Sequence, residues 1–494
     1  MAKDSRIAEA GLAAIVLAAG LGTRMRSKRA KVLHEIGGTP MVARVVRALE
    51  TAGAAPIVAV TGYQAREVEA AIRASAARAQ VASAIQAEPR GTGDAARAGL
   101  GAIAPGYDGD VLIAYGDMPM LTAATLVEFV ATHRTSGAAL SFISVVLADG
   151  GAYGRVVRDA HGAPLAIVEA RDASPAELAV AEINTGIYIA HAGVLRAALA
   201  ELKPKNAQHE FYLTDIVASA RARGLVVQAW PARDAAEFAG VNTREELSSM
   251  ETLLREQVNR RLMAAGVTFV DPATAYISDH AEIAADVIIG PNVQILGRCR
   301  IGAETRIEGT AWLKDVEIGE RCHIKLGVRA EDCRIGADSE IGPFANLRAG
   351  TDLEGHNRIG NFVETKKAKI GRGTKASHLS YLGDATIGRN TNVGCGVITV
   401  NYDGYEKHQT QIGDRCMIGC DTQLVAPIKV GSDVYVASGT TIIREVPDGA
   451  LVMSHHPQRE KSGWTASWRK RHGDVGADGE GVTAPHQPSK SGSK

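Results

Sequence analysis

Residues 283–313 read IAADVIIGPNVQILGRCRIGAETRIEGTAWL, and the rhythm of that stretch is six. Counting from Ile277, an aliphatic residue returns at Ile283, Ile289, Ile295, Ile301, Ile307 and Leu313. After a one-residue slip it resumes at Ile318 and Ile324, then at Ile335, Ile341, Leu347, Leu353 and Ile359. Further registers run through Ile370, Ala376, Leu382, Ile387, Val393, Ile412, Ile418, Leu424, Val430, Val436 and Ile442. Gly often follows the aliphatic residue, as at Gly290, Gly302, Gly336, Gly360, Gly388 and Gly419. A period of six matches neither the 3.6 of a helix nor the 2 of a half-buried strand. It matches a coil of very short strands, one aliphatic side chain per hexad pointing inward, with Gly expected to take the backbone angles of the next corner. Stacked coils form one apolar column, stable because each coil covers its neighbour. Chance Ile-Gly pairs in a loop-rich domain would not stay in phase over so many hexads.

The 494 residues exceed one ordinary core, so two large domains joined by a linker are expected. Lysine plus arginine equals aspartate plus glutamate at 55 each, which excludes a global basic field for nucleic acid or membrane. Aromatics at 4% give no base-stacking platform. The six cysteines, Cys299, Cys322, Cys333, Cys395, Cys416 and Cys420, all lie in the repeat and form no CxxC pair. Buried or corner-filling thiols in a reducing compartment are the expectation. Lys3 and Arg6 before the apolar run Leu12–Ala19 mimic a secretion signal, but Asp4 and Glu9 interrupt it, and cleavage there would destroy the motif that follows. No stretch is long enough to span a bilayer, so a cytoplasmic protein without membrane insertion is expected.

Upstream of the repeat, Ala13–Leu17 reads as a buried strand running into Ala18, Ala19, Gly20, Leu21, Gly22, Thr23, Arg24 and Met25, with Lys31 soon after. Small residues let backbone amides approach phosphate oxygens, and Arg24 and Lys31 supply charge. No Gly-Lys-Ser/Thr follows, which excludes a P-loop, and no third glycine completes a dinucleotide fingerprint. Strands expected at 56–61, 81–86 and 111–115 alternate with helices at 41–51, 64–77 and 122–133. That alternation predicts a mostly parallel sheet with ligands at the carboxyl ends of its strands. Gln86, the Gly91-Thr92-Gly93-Asp94 loop, and Asp117 in Tyr115-Gly116-Asp117 fall at such ends. Asp117 is a candidate metal ligand.

The string GxGTRM followed by Lys31-Val32-Leu33 resembles the signature of sugar-1-phosphate nucleotidyltransferases. Leu17, Ala18, Ala19, Gly20, Arg24, Lys31, Gln86, Gly91, Thr92, Tyr115, Gly116 and Asp117 resemble, in order, the bacterial bifunctional N-acetylglucosamine-1-phosphate uridylyltransferase/glucosamine-1-phosphate acetyltransferases. So do Tyr153-Gly154-Arg155, Glu169, Asn184-Thr185-Gly186, Tyr212-Leu213-Thr214-Asp215 and Gly240-Val241-Asn242, and the resemblance spans roughly residues 12–464. It implies that Asp117 and Asn242 hold Mg²⁺, and that Gly154, Glu169 and Asn184 contact an N-acetylglucosamine moiety. It implies in-line attack of the sugar phosphate on UTP, with Arg24 and Lys31 taking the leaving pyrophosphate. Asp94 stands where this family usually has His.

Thr243 and Glu246 form a capping box, and Leu247, Met250, Leu254, Val258 and Leu262 share one face of the helix that follows, which Gly266 stops. That helix is expected to pack on its own chain. In the repeat, an insertion carries Asn401-Tyr402-Asp403-Gly404-Tyr405, with Glu364, Lys366, His378 and Tyr381 on nearby coils. Lys375–Asp384 resembles the same family's acetyltransferase stretch. The resemblance implies that His378 is the base for the amine of glucosamine 1-phosphate, oriented by Glu364, with acetyl-CoA as donor. Arg348 and Lys366 would hold the sugar phosphate, and Tyr381, Asn392, Asn401 and Tyr402 would line the sugar and acyl site. On the CoA side, Cys395 and Ser438 replace a common alanine, Cys420 a serine, and His455 the Arg of some members.

The fold implied is an α/β nucleotidyltransferase domain over 1–242, a linker helix over 243–266 and a left-handed parallel β-helix of hexapeptide repeats over 267–460. A tail over 461–494 carries Trp464 and is expected to be disordered after about 473. A homotrimer making UDP-N-acetylglucosamine for wall precursors is implied, with Mg²⁺ as cofactor and UTP, glucosamine 1-phosphate, N-acetylglucosamine 1-phosphate and acetyl-CoA as small-molecule partners. A monofunctional nucleotidyltransferase with a structural or regulatory β-helix is the alternative.

Overall fold

The computed structural model describes residues 11–75, 80–454 and 458–472. The chain divides into two compact units, Met1–Gly350 and Thr351–Lys494.

The first unit opens with β1 (Leu12–Leu17), a short hairpin of β2 (Glu35–Ile36) and β3 (Thr39–Pro40), α1 (Met41–Thr51), β4 (Ile57–Thr61), α2 (Ala65–Ser75), β5 (Val81–Ile85), α3 (Thr92–Gly101) and β6 (Asp110–Tyr115). It continues through α4 (Ala123–Ser136), β7 (Leu140–Val146), β8 (Arg155–Arg158), β9 (Pro164–Val168), α5 (Pro175–Leu178), β10 (Glu182–His191), α6 (Ala192–Glu201), α7 (Asp215–Ala222), β11 (Val227–Pro231) and α8 (Arg244–Ala264). The sheet order is β11-β7-β10-β6-β1-β4-β5, with β8 paired to β10 and β9. The expected parallel sheet holds for β6-β1-β4-β5. It holds also for β11-β7, so the sheet is mostly parallel along this order as expected, and β10, which runs antiparallel to both β6 and β7, is the exception that makes it mixed. Antiparallel neighbours need no long crossover, and α6 leaves β10 directly.

Alternation along β1 explains why helices cover both faces. Ala14 and Val16 join a core with Val42, Val45 and Leu49 of α1 and Phe129 of α4. Ala13, Ile15 and Leu17 join another with Leu100 of α3, Leu195 of α6 and Val217 of α7. Helix α8 carries the capping box of Thr243 and Glu246. Its Met250, Leu254, Val258 and Leu262 are buried, and buried Asn259 donates to the carbonyls of Pro272 and Ala275.

After α8 the short strands coil. Ile277 pairs with Ile295, Ile283 with Ile301 and Ile289 with Ile307, all parallel, three hexads apart. The second unit coils in the same way: Ile359 pairs with Ala376, Val393 with Ile418, Ile418 with Val436 and Leu424 with Ile442.

The expected role of the post-aliphatic glycines is corrected. Gly290, Gly302, Gly360, Gly388 and Gly419 are not among the positive-φ residues. The left-handed φ falls instead on other positions: on Asp286 (63°), Asn292 (57°), Asp338 (59°), Asn390 (53°) and Asp433 (57°), residue types that tolerate it, on glycines such as Gly297 (67°) and Gly373 (73°), and also on Glu304 (59°) and Arg321 (53°). Gly is needed because the next coil lies against it. A Cβ on Gly290 would stand 1.8 Å from the carbonyl oxygen of Glu308, and one on Gly360 would stand 2.0 Å from that of Ser377.

Among the described residues no helix is long and apolar enough to cross a membrane, and no cluster of three His, Cys, Asp or Glu could hold a metal ion. All six cysteines are free thiols: Cys395 and Cys420 are exposed and the others are buried. Trp464 opens the helix Trp464–Arg471 and stacks on Trp468. The disorder expected after about 473 concerns residues outside those described.

Candidate active sites

In the first unit, the carboxyl ends of β1, β5 and β6 open on a cavity of about 350 Å³. Leu17, Ala18, Ala19, Gly20, Lys31, Gln86, Gly91, Thr92, Tyr115, Asp117 and Asn242 line it, joined by Glu210, Pro89, Val32 and Ala95. A Cβ on Gly20 would meet nothing within 4 Å, so this turn leaves its backbone open to a ligand. Gly116 donates its N–H to the Leu17 carbonyl at 2.9 Å, which fixes the Asp117 loop beside the β1 turn. Arg44 Nε donates to the Pro119 carbonyl at 3.0 Å, and the Val241 N–H donates to the Asp117 carbonyl at 3.0 Å. The last contact brings Asn242 to Asp117. Glu246, the capping-box acid of α8, accepts from the Asn242 and Thr243 N–H groups, so the helix cap also orients Asn242.

Charge converges on that pair. Lys31 Nζ donates to Asp117 Oδ2, and to Asn242 Oδ1 at 3.0 Å. Arg24 Nη2 donates to the same amide oxygen at 3.0 Å. The Lys31 and Asp117 side chains are each 13% exposed, which raises the local electrostatic effect above that of a surface pair.

A second cavity, of about 380 Å³, shares Tyr115, Asp117 and Asn242 and adds Arg24, Gly154, Glu169 and Asn184. Thr214 Oγ1 donates to Glu169 Oε1 at 3.2 Å. Burial pushes the Glu169 carboxyl above its ordinary value, and Asp215 and Asp172 add to the rise while the Thr214 hydrogen bond opposes it. Burial likewise pushes the Tyr115 hydroxyl up. Asn184 Nδ2 donates to Tyr188 Oη at 2.7 Å, and its Oδ1 accepts the Gly186 N–H at 3.1 Å. A Cβ on Gly186, at φ 88°, would stand 2.4 Å from the Tyr115 ring. Gly is therefore what lets Tyr115 lie across the cavity floor.

The two cavities contain every first-domain site residue expected from sequence except Gly116, whose backbone supports the Asp117 loop. Sequence reasoning passed over Arg155, which is buried and donates to the carbonyls of Gly150, Gly151 and Tyr153, buckling the loop that presents Gly154. A charged residue opening β8 directly before Val156 and Val157 was the available signal.

In the second unit, the coil register sets His378 opposite Asn361 and Glu364 opposite Tyr381, with Lys366 opposite Gly383. A Cβ on Gly383 would stand 2.4 Å from Tyr381 Oη, so the missing side chain leaves room for that ring. Asn401 Nδ2 donates to buried Asp384 Oδ2 at 2.6 Å and lies 3.4 Å from Tyr381 Oη. Asn392 Nδ2 approaches Met417 Sδ at 3.3 Å. The insertion closes on itself: Tyr402 bridges Lys407, and Asp403 accepts from the N–H groups of Tyr405 and Glu406 and pairs with His408. The Glu406 N–H and then the His408 ring hold the Asp403 carboxyl well below the usual range.

Leu379, Cys395 and Cys420, each a corner residue, accept the N–H groups of Gly396, Asp421 and Gly439 on the next coils. With strand pairs Tyr381 to Ile398, Ile398 to Gln423 and Gln423 to Thr441, this sets His378, Cys395, Cys420 and Ser438 on one edge of the coil stack, all exposed. Tyr402 is exposed beside the insertion, whereas Asn401 is buried. Arg348 belongs to the first unit, just past the strand Asn346–Leu347. His455 lies outside the described residues.

Both halves of the chain are similar to known proteins. Residues 14–265 match the MobA-like NTP transferase domain, 272–351 the GMPPB C-terminal domain and 409–444 the bacterial transferase hexapeptide of six repeats. The chain is 47% identical over 460 residues to the bifunctional protein GlmU of Pelobacter propionicus, covering 93% of this chain and 99% of the relative. It is 46% identical to that of Geotalea uraniireducens, with 92% and 98% covered, and 42% identical to that of an Exiguobacterium species, with 92% and 99% covered. Two transferase domains in this order, matched across nearly the whole of each relative, establish that the chain belongs to the family of bifunctional GlmU proteins.

Proposed function

We propose that this chain acetylates glucosamine 1-phosphate with acetyl-CoA and then transfers UMP from UTP to the N-acetylglucosamine 1-phosphate so made, releasing pyrophosphate. The observation that carries the reading is the convergence of Lys31, Arg24, Asp117 and Asn242 between two cavities that share Tyr115. One cavity suits a nucleotide, its phosphates over the Leu17–Gly20 turn and its base beside Gln86, Gly91 and Thr92. The other, with Gly154, Glu169 and Asn184, suits the sugar.

The sugar phosphate oxygen attacks the α-phosphorus of UTP, one P–O bond forms, and the bond to the leaving pyrophosphate breaks. Arg24 and Lys31 neutralise charge on the departing group, and Tyr115 with the Gly186 turn keeps the two substrates in line. Asp117 and Asn242 present two oxygen atoms where the positive charges of Lys31 and Arg24 converge, a donor set that fits Mg²⁺ with phosphates and water completing its shell. Bound there, Mg²⁺ supplies Lewis-acid stabilisation of phosphate charge.

In the acetyl half, we assign His378 as the base for the 2-amino group and Glu364 as its positioning partner. The amine attacks the thioester carbonyl, a C–N bond forms, the C–S bond breaks, and the proton goes through His378 to the leaving CoA thiolate. Lys366 and Arg348 take the sugar phosphate, and Tyr381, Asn392, Asn401 and Tyr402 line the acceptor. Cys395, Cys420, Ser438 and His455 form the CoA side. Full-length relatives named bifunctional favour this over a β-helix with a purely structural role. We take the functional domains to meet at α8, place the enzyme in the cytoplasm where UTP and acetyl-CoA are made, and assign it a homotrimeric state. The test is to incubate the protein with glucosamine 1-phosphate, acetyl-CoA, UTP and Mg²⁺, omitting each in turn. UDP-N-acetylglucosamine should form only with all four, and its formation without acetyl-CoA would refute the acetylation step.

A further inference from the structure

Gln86 directly follows β5 and lines the first cavity, and its amide is held in one orientation by two groups of the same polarity. Gln86 Nε2 lies 3.1 Å from Asp94 Oδ2 and 3.1 Å from the Gly91 carbonyl oxygen. Side-chain amide nitrogen and oxygen are easily exchanged in assignment, but here the partners decide. A carboxylate and a carbonyl can only accept, so the atom facing both must be the NH₂ group. The reverse orientation would bring three oxygens together. Gln86 Oε1 is thereby left without a protein partner among the described residues, on a side chain that lines the cavity. Asp94 sits in the first turn of α3, where the helix dipole favours its negative charge.

We propose that Asp94 is a positioning residue that sets nucleobase choice: it turns Gln86 Oε1 toward the base, so the site accepts a pyrimidine carrying a hydrogen on N3 and rejects one carrying a lone pair there. Uracil has that hydrogen and cytosine does not. Their exocyclic groups differ in the opposite sense, an acceptor O4 in uracil against a donor N4 in cytosine, so the discrimination argued here is the one at N3. A fixed acceptor set against an acceptor leaves both unpaired, which is how a hydrogen-bonding site discriminates strongly between analogues of equal size. This inference rests on the uridylyl-transfer reading and adds to it the residue that fixes the polarity of base recognition.

Asp94→Asn tests it. The new amide can offer an N–H to Gln86 Oε1, so only the Gly91 carbonyl still favours the original orientation and Gln86 turns more readily to show Nε2 to the base. The measurement is the ratio of kcat/KM for UTP to that for CTP with N-acetylglucosamine 1-phosphate as acceptor, a ratio independent of how much of each preparation is folded. D94N should lower the ratio by on the order of tenfold or more, and in a Gln86→Ala background it should change the ratio no further. Equal losses for both nucleotides would make Asp94 an ordinary helix-end charge and overturn the proposal while the uridylyl reading stands. A change that persists in the Gln86→Ala background would overturn the route through Gln86. A wild-type enzyme indifferent between UTP and CTP would overturn both proposal and reading.

Discussion

The mixed sheet and the coil stack build their sites in opposite ways. In the sheet, residues as distant in sequence as Lys31, Asp117 and Asn242 meet because loops at neighbouring strand ends fold over one cavity. Their side chains are largely withdrawn from solvent, and burial shifts Glu169 and Tyr115. In the coils of the second unit, His378, Cys395, Cys420 and Ser438 line up because each coil repeats the one before, and all four stay exposed on an edge. A sheet obtains a site by convergence, whereas a coil stack obtains one by repetition. The first withdraws its proposed site residues from solvent; the second leaves its proposed row exposed along an edge.

The sharpest way to break this comparison is a pair of substitutions, one on each side. His378→Ala should lower acetyl transfer by on the order of 10²–10⁴ and leave uridylyl transfer from supplied N-acetylglucosamine 1-phosphate intact. Asp117→Ala should lower uridylyl transfer by on the order of 10²–10³ and spare acetylation. Both half-reactions are assayed on both variants. Normal acetylation by His378→Ala would mean that the exposed edge is not the reactive one.

A smaller effect probes what holds the coils together. Gly290→Ala places a methyl where a neighbouring backbone carbonyl already stands, and neither partner is a flexible side-chain end. Destabilisation of about 3 kcal/mol is expected in denaturant melts that follow the coil region. A melt unchanged from wild type would show that the stacking tolerates a side chain there.

Glu169 supplies a pH signature of the enclosed site. Its carboxyl is raised from 4.5 by burial, so the charged form, which in the proposed reading accepts hydrogen bonds from the sugar, is lost at a higher pH than for a free carboxyl. The acid limb of kcat/KM for the sugar phosphate should therefore lie above pH 4.5, and Glu169→Gln should remove that limb. For stability the sign is the reverse of a paired carboxylate. The protonated form is favoured in the fold, so this group costs nothing below its unfolded pKa, and the cost grows as pH rises through the folded pKa. Glu169→Gln should accordingly be more stable than wild type at neutral pH.

The smallest effect belongs to the corners. Asn292 is exposed and holds φ 57°, and Asn292→Gly should change stability by no more than about 1 kcal/mol. A loss as large as that of Gly290→Ala would mean the corners, rather than the close approach, govern the stack.

The sixfold rhythm, the strand-helix alternation and the α8 capping box were legible in the sequence because each is a local periodicity or a short-range hydrogen bond. Strand and helix limits followed closely, since Met41–Thr51 and Val81–Ile85 are bounded by Gly, Pro or polar turns. The site residues were legible only through motif order, which names participants but not contacts. Three things were decided by tertiary structure alone. The antiparallel β10 depends on pairing between segments far apart in sequence. The Gly that follows an aliphatic residue, as at Gly290 and Gly360, is required by the backbone of the next coil, whereas the left-handed φ falls at other positions, on Asp286 and Asn292 but also on Glu304 and Arg321, a division that the sixfold rhythm could not reveal. The polarity of Gln86 depends on Asp94 and Gly91 reaching one amide from a different helix turn and loop. Sequence alone determined what repeats and what lies within a few residues. Whatever depended on the distance between atoms brought together by folding was fixed by packing.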